Sequence, residues 1–490
     1  MMEIQLGQKI KNTFRHSGVY GLGSLLKGLV GLLLIPIYTN YLSVAEFGRW
    51  GLLFAVGQVM RIVIGLGLVS AVFRSYFDYD NEDKRRDVLF TAVLIQAASS
   101  VVFLVVVIFF SRALSAWLLA DPLYQYHVIW ITVYAVLFGF HRIALALFRA
   151  REESFRYILF EAIGFFAHLG LAILLMAVFH LKLMGAVWGL LAGSLITTGL
   201  SCACTWKDMR GRFSAFEAKR MLAYGLPTIV TVLSILVINF FDRYLIKVYL
   251  DFVQVGLYEL GYHFGMVLLL FFATPVRLVW EPMYLSVKDQ PRASEYYSRV
   301  FTYGFLIGTV LFLVVSLFSS DVIRLIAREG FWTAARVVPV VALGYLVFGC
   351  ERLVHVGIGL SRRTYIASGI FLAGAALNIV LNIWWIPIAG IMGAALATLV
   401  TALLVFTGVY IASQRFYKVD YEWRRVALIA STGMIIYYLG NVVLSGHGII
   451  FVVGRMLLVG AFPVVLGLSG FFVSAEKNAL RQLKKRLCKQ

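Results

Sequence analysis

The stretch LSVAEFGRW, Leu42–Trp50, places Ser, Glu, Gly and Arg between two long apolar runs in a chain where charge is scarce. A worn copy, LDFVQVGLY, follows 208 residues later at Leu250–Tyr258. Ser43-Val44-Ala45-Glu46 matches the capping box: Ser accepts from the third helical amide, and Glu reaches back to the cap amide. Asp251 and Gln254 occupy the same two places in the copy. Asp is also a good N-cap, so the physics survives while the letters change. Gly48 and Gly256 come next at the same step and predict close approach of a neighbouring helix. The stretch therefore predicts the start of a helix in each of two repeated units. A functional reading stands beside it, with Glu46 and Arg49 as parts of an outer gate.

The same offset sets Tyr157 on Tyr365 and LMGA (183–186) on IMGA (391–394). Hydrophobic residues make up 61% of the 490 and charged residues 14%, and the mean hydropathy is +0.86. A soluble domain is near half apolar and a quarter charged, so the composition predicts an all-α polytopic membrane protein. A span needs about 20 largely apolar residues. That length finds about fourteen: 17–41, 48–72, 88–110, 126–150, 157–179, 185–206, 224–247, 254–286, 298–319, 334–360, 364–386, 388–412, 426–445 and 449–473. Six fall in each copy. An even number makes the copies a parallel repeat, with a transport path expected between them. The expected organisation is an amphipathic cytoplasmic segment (1–16), two six-helix bundles (17–206 and 221–412), a terminal helix pair (425–473) and a basic tail (474–490).

Of the 44 Lys and Arg, 30 fall in loops on one side, 8 on the other and 6 inside spans. The positive-inside rule then puts both termini in the cytoplasm. The net charge of +19 belongs to these short loops, which excludes nucleic acid as a partner. The four cysteines have no metal or disulfide spacing, and no Walker motif is present. No cofactor is expected.

Six cations lie within the expected spans: Lys27, Arg61, Arg142, Arg277, Arg352 and Arg455. Intramembrane charge is costly, so it either faces a wet cavity or snorkels to an interface. Helical rise puts Lys27, Arg61, Arg142 and Arg352 in the cytoplasmic half, with Arg277 near the interface and Arg455 near the outer face of the terminal pair. Arg142 and Arg352 sit on equivalent helices, which suggests a ring of cations suited to a diphosphate. Glu161 and Asp242 are candidates for a gate or coupling role, and Glu259 and Glu351 are further buried acids. Adjacent residues point to different faces of a helix, so Glu351 is not required as the partner of Arg352. His141, His168, His263 and His355 read as core or interfacial.

PIYTNYLSVAEFG (Pro36–Gly48), the duplicated six-span bundle and the basic loops together resemble the polysaccharide (O-antigen type) lipid flippases of the multidrug/oligosaccharidyl-lipid/polysaccharide (MOP) exporter superfamily. The resemblance covers nearly the whole chain. It implies a multi-pass protein of the bacterial inner membrane that moves undecaprenyl-diphosphate-linked oligosaccharide to the outer leaflet by alternating access. It also implies membrane lipids as surroundings and the polymerase and glycosyltransferases of one pathway as partners. The coupling ion, H+ or Na+, is left open. In the related lipid II flippases an extra C-terminal helix pair lines a lipid groove, which suggests a role for 426–473. The arginine-rich first span of that subgroup is absent, since only Lys27 occupies that helix. A cation-coupled multidrug exporter of the same superfamily is the first alternative, although 44 bases against 25 acids suit it poorly. An outer-face glycan polymerase or ligase is the second, although the outer loops are short.

Overall fold

A computed structural model describes residues 32–446 and 448–471. The amphipathic segment expected at 1–16, Lys27 and the tail at 474–490 lie outside the described residues. Those described are helical almost throughout, with no strand among them. Eleven of the described helices are long and apolar enough to cross a membrane, or twelve if Glu329–Arg336 and Val338–Val354 form one bent span. Two differences separate this count from the expected fourteen. Residues 17–31 of the first expected span are not described, and only α1 (Leu32–Tyr41) remains of it. The spans expected at 364–386 and 388–412 are the two arms of α14 (Thr364–Phe416), joined without a loop at Gly390 and so counted once.

That stretch folds back on itself at Gly390, which has φ 60° and ψ −141°, a conformation open to glycine alone. Asn378 donates to Thr401 Oγ1 at 3.2 Å. A Cβ on Gly374 would lie 2.6 Å from the Val405 side chain. Both pairs are centred near Gly390, so the two arms run antiparallel.

Contacts group the chain into two units. The first holds residues 1–263, 326–337 and 365–405, and the second holds 264–325, 338–364 and 406–490. The first unit contains both copies of the opening motif. Ser43 caps α2 (Val44–Gly65): its Oγ accepts from the Glu46 amide at 3.2 Å, and Glu46 Oε2 accepts from the Ser43 amide at 2.9 Å. In the second copy Asp251 Oδ1 accepts from the Gln254 amide at 2.8 Å, at the start of α9 (Phe252–Gly265). The two capped helices cross each other at their glycines. A Cβ on Gly48 would overlap the Phe252 carbonyl and lie 2.8 Å from the Gly256 nitrogen, and one on Gly256 would overlap the Val44 carbonyl. Sequence, cap and packing therefore agree: each copy starts a helix whose first turn must let another backbone in.

Around this crossing Phe47 meets Phe331 edge-on at 5.6 Å and His263 at 6.4 Å. The α2 helix ends at Leu66 and Gly67, both left-handed. There Gly67 lies against Gly225 of α8 (Ala215–Tyr249), so α2 is closely packed at both ends. The linker into α8 is fastened to the loops of the first copy. Arg151 pairs with both oxygens of Asp208 at 2.9 and 2.6 Å, the Arg212 amide donates to Asp87 at 2.6 Å, and Arg220 lies 3.3 Å from Asp78. Tyr79 donates to Glu217 at 2.6 Å, a bond that raises the phenol's pKa by favouring its protonated form.

In the second unit α15 (Trp423–Val442) packs on α11 (Ala293–Ile326) through small residues: Gly433 faces Thr309, and Gly440 faces Leu317. Arg455 of α16 (Ile449–Leu468) pairs with Asp321 of α11 and donates to the carbonyls of Leu444 and Gly446, the latter at 2.9 Å. It is buried, with its donors directed to α11 and the turn before its own helix. It acts as a clamp on the terminal pair.

Valine at Gly48 or Gly256 would force the crossing apart. Overpacking of this kind costs about 1–3 kcal/mol, and more where the obstacle is backbone. Thermal unfolding of the purified protein in detergent should show a clear fall in Tm for either variant. Gly199→Val, where a Cβ meets open space, should leave Tm nearly unchanged.

Candidate functional site

Charge inside the helices falls into three groups. The first lies along α5 (Gln125–Ala150), where Tyr134, Phe138 and Arg142 follow at four-residue steps and share a face. Arg61 of α2 stacks on the Phe138 ring at 3.8 Å and donates to Tyr134 Oη at 3.2 Å. Arg142 reaches Glu161 of α6 (Ser154–Ile173) at 3.7 Å. Tyr157, one turn before Glu161, also bonds Arg142. The Glu161 side chain is 2% exposed, whereas Arg142 keeps 30% of its surface. Two of the expected cations thus lie on one stripe of the first unit, each steadied by aromatic or acidic neighbours.

The second group is in the second unit. Arg352 of α12 (Val338–Val354) lies 3.3 Å from Glu351 through its Nε. The sequence argument that neighbouring residues diverge is corrected here. The long guanidinium arm bends back to one carboxylate oxygen, and the other lies 3.2 Å from His355 Nδ1. Glu351 is 1% exposed and Arg352 34%. Arg277 of α10 (Thr274–Ser286) is exposed, and it feels the positive charge of Arg352 and the negative charge of Glu281. Arg277 and Arg352 thus stand on two packed helices, α10 and α12, near enough for their charges to interact.

The third group was not foreseen as a cluster. Arg243 is not one of the six cations singled out above, yet it lies inside α8, near the outer end of the expected span 224–247, and is 1% exposed. Its Nε donates to Glu259 at 2.8 Å, and its Nη1 donates to Asp242 at 2.8 Å and to the Asn239 carbonyl. Tyr258 donates to the second oxygen of Asp242. Tyr262 lies under the guanidinium at 3.9 Å and donates to Asn239 at 3.2 Å. Glu259 is covered by α2: a Cβ on Gly51 would come within 2.8 Å of its carboxyl carbon. Two carboxylates sharing one guanidinium in a dry site tie α8 to α9 just beside the glycine crossing. The signal was present in the sequence: Asp242 and Arg243 stand together inside an apolar span, with Glu259 sixteen residues on.

Glu46 and Arg49 are occupied locally. Glu46 closes the capping box, and the Arg49 guanidinium sits over Phe252 at 4.7 Å and Tyr124 at 5.1 Å. Lys27 lies outside the described residues. Among those described, no group of His, Cys, Asp and Glu could hold a metal ion.

Removing Arg243 would leave two buried carboxylates without their cation, which costs about 3–5 kcal/mol. Arg243→Leu should therefore lower Tm far more than Tyr258→Phe, which removes one hydrogen bond worth about 1–3 kcal/mol. Differential scanning of both variants orders them.

A family model described as polysaccharide biosynthesis protein matches residues 13–288, more than half of the chain. A curated relative, "Uncharacterized membrane protein MJ1068" of Methanocaldococcus jannaschii, is 26% identical over 192 residues, 38% of this chain. The match spans 37% of that relative's length. A solved structure described as "Lipid II flippase MurJ, inward closed conformation" superposes with a TM-score of 0.76 at 14% identity, covering 94% of this chain and all of the other. An inward-facing multidrug resistance MATE family transporter of the MOP superfamily gives 0.68 at 14% identity, covering 83% and 96%. A MOP superfamily transporter from Pyrococcus furiosus, whose binding pocket is described as reversed in polarity, gives 0.57 at 15% identity over 86% and 96%. The chain thus has the fold of these membrane transporters, and it belongs to the polysaccharide biosynthesis protein family.

Proposed function

We propose that this protein flips a lipid-linked oligosaccharide, carried on undecaprenyl diphosphate, from the cytoplasmic to the outer leaflet of a bacterial inner membrane. Membership of the polysaccharide family supplies the sugar chemistry, and the shared transporter fold supplies the means. One observation carries the choice of an anionic cargo: the arginines within the helices keep part of their charge available. Arg142 and Arg352 each retain about a third of their side-chain surface, and Arg277 is exposed beside Arg352. Arg61 and Arg142 of the first unit are one candidate contact for the diphosphate, and Arg277 and Arg352 of the second unit are another.

The organisation that suits this reading has two repeated bundles, 17–206 and 221–412, and a terminal pair at 425–473. Both termini face the cytoplasm, so the capped starts of α2 and α9 face outward. The membrane potential is negative inside, and a diphosphate of charge about −2 moving outward gains roughly 4–5 kcal/mol per 100 mV. The potential alone can therefore drive the step. The oligosaccharide is received from glycosyltransferases on the inner face and passed to a polymerase on the outer face.

In cells depleted of the protein, undecaprenyl-linked sugar units should disappear from the outer leaflet and accumulate inside, as read by outer-leaflet lectin or enzymatic access. Arg142→Ala with Arg352→Ala should abolish rescue while the amount of protein in the membrane is unchanged. Full rescue by that double variant contradicts the assignment of the cations.

A further inference from the structure

We propose that Glu161 and Glu351 are positioning residues whose negative charge sets how readily Arg142 and Arg352 release an anionic lipid head group. This rests on the flippase reading and concerns the same arginines. In each half of the chain a partly exposed arginine stands in front of a carboxylate that water barely reaches. The separations are 3.7 Å for Arg142–Glu161 and 3.3 Å for Arg352–Glu351. The acids are 2% and 1% exposed at the side chain, the arginines 30% and 34%.

The two arrangements are built by different routes. Glu161 comes from α6, the helix after the one that bears Arg142, whereas Glu351 is the residue before Arg352 on the same helix. Duplication alone does not yield this, because the acids do not correspond under the 208-residue offset. Each half has nonetheless arrived at a buried acid behind a half-open arginine. Secondary contacts hold the acids' surroundings in place: Tyr157 bonds Arg142, and His355 bonds Glu351 at 3.2 Å.

Buried this deeply, neither carboxylate can touch a solute, so each acts only through its arginine. A guanidinium without a counter-charge in a low-dielectric site would hold a diphosphate strongly and return it slowly. Transport needs binding firm enough to capture the cargo and weak enough to lose it. A fixed negative charge behind the guanidinium opposes the incoming phosphate and takes the arginine back when the phosphate leaves. It also fixes the direction in which the arginine projects. Removing the charge while keeping the shape should therefore tighten binding, the opposite of what loss of a structural contact would do.

The test uses the full-length protein with inorganic pyrophosphate as the probe in calorimetry, and flipping of undecaprenyl-diphosphate-linked oligosaccharide in vesicles. Glu161→Gln and Glu351→Gln should each bind pyrophosphate about tenfold more tightly, the effect of one unit charge at several ångströms. At the same time the apparent KM and the maximal flipping rate should both fall, the pattern of a ligand held too well. Glu351→Asp, which restores the charge, should return both values toward the wild type. Unchanged or weaker binding in folded Gln variants, checked by Tm, overturns the proposal while leaving the cationic site intact. Pyrophosphate binding by the wild type no stronger than by Arg142→Ala with Arg352→Ala overturns both this proposal and the assignment of the cations.

Discussion

Two helix starts written in nearly the same pattern approach each other until only hydrogen atoms fit between their backbones. The approach of Gly48 on α2 to Gly256 on α9 is the constraint from which much of the first unit follows. Each helix must be capped by its own side chains, because a neighbour occupies the space beside its first turn. The Ser43–Glu46 box and the Asp251 cap meet that need locally. One turn further along, Gly51 lies flat against Glu259, so a charged group can sit at the interface only if something else neutralises it. Arg243 does so, and it also takes Asp242 and the Asn239 carbonyl. The cluster is therefore a consequence of close packing: an acid trapped under a glycine face has to bring its cation with it.

The intramembrane arginines divide by how much of their charge is consumed. Arg243 and Arg455 are spent on internal partners, the first holding α8 to α9 and the second holding the terminal pair to α11. Arg142, Arg277 and Arg352 keep exposed surface, and Arg61 lies on aromatic rings along the Arg142 stripe. Position along a helix does not separate these classes. What separates them is how far the guanidinium is buried: Arg243 and Arg455 are buried, whereas Arg142 and Arg352 keep about a third of their side-chain surface. The fully buried cations are consumed by structure, in keeping with the cost of leaving a dry charge without a partner, and the partly buried ones are those we propose for the cargo.

Much of the architecture was legible in the sequence because it rests on local rules. Apolar length gave the helices, Ser-x-x-Glu gave a cap, and a shared offset gave two copies whose glycines meet. The same rules failed where geometry is not local. Arg243 lies near the outer end of the expected span 224–247, where it reads with the loop cations, and its partner Glu259 comes from the next helix. Glu351 and Arg352 read as divergent neighbours, but a long flexible arm overrides the spacing of Cβ atoms. The pairing of Arg142 with Glu161 crosses from α5 to α6 and leaves no periodic trace. The break expected between 386 and 388 falls at Gly390, where the φ that only glycine adopts does what a polar loop does elsewhere.

In the function proposed above, the charge pattern of the helices receives a diphosphate and lets it go. The potential across a bacterial membrane acts on that same charge, so cargo and driving force are one property. The most direct test places the purified protein in vesicles with an undecaprenyl-diphosphate-linked oligosaccharide and an imposed potential. The account predicts movement toward the positive side, faster as the potential rises and slower when its sign is reversed. Movement no faster than in protein-free vesicles, or equally fast at either sign of the potential, would contradict it.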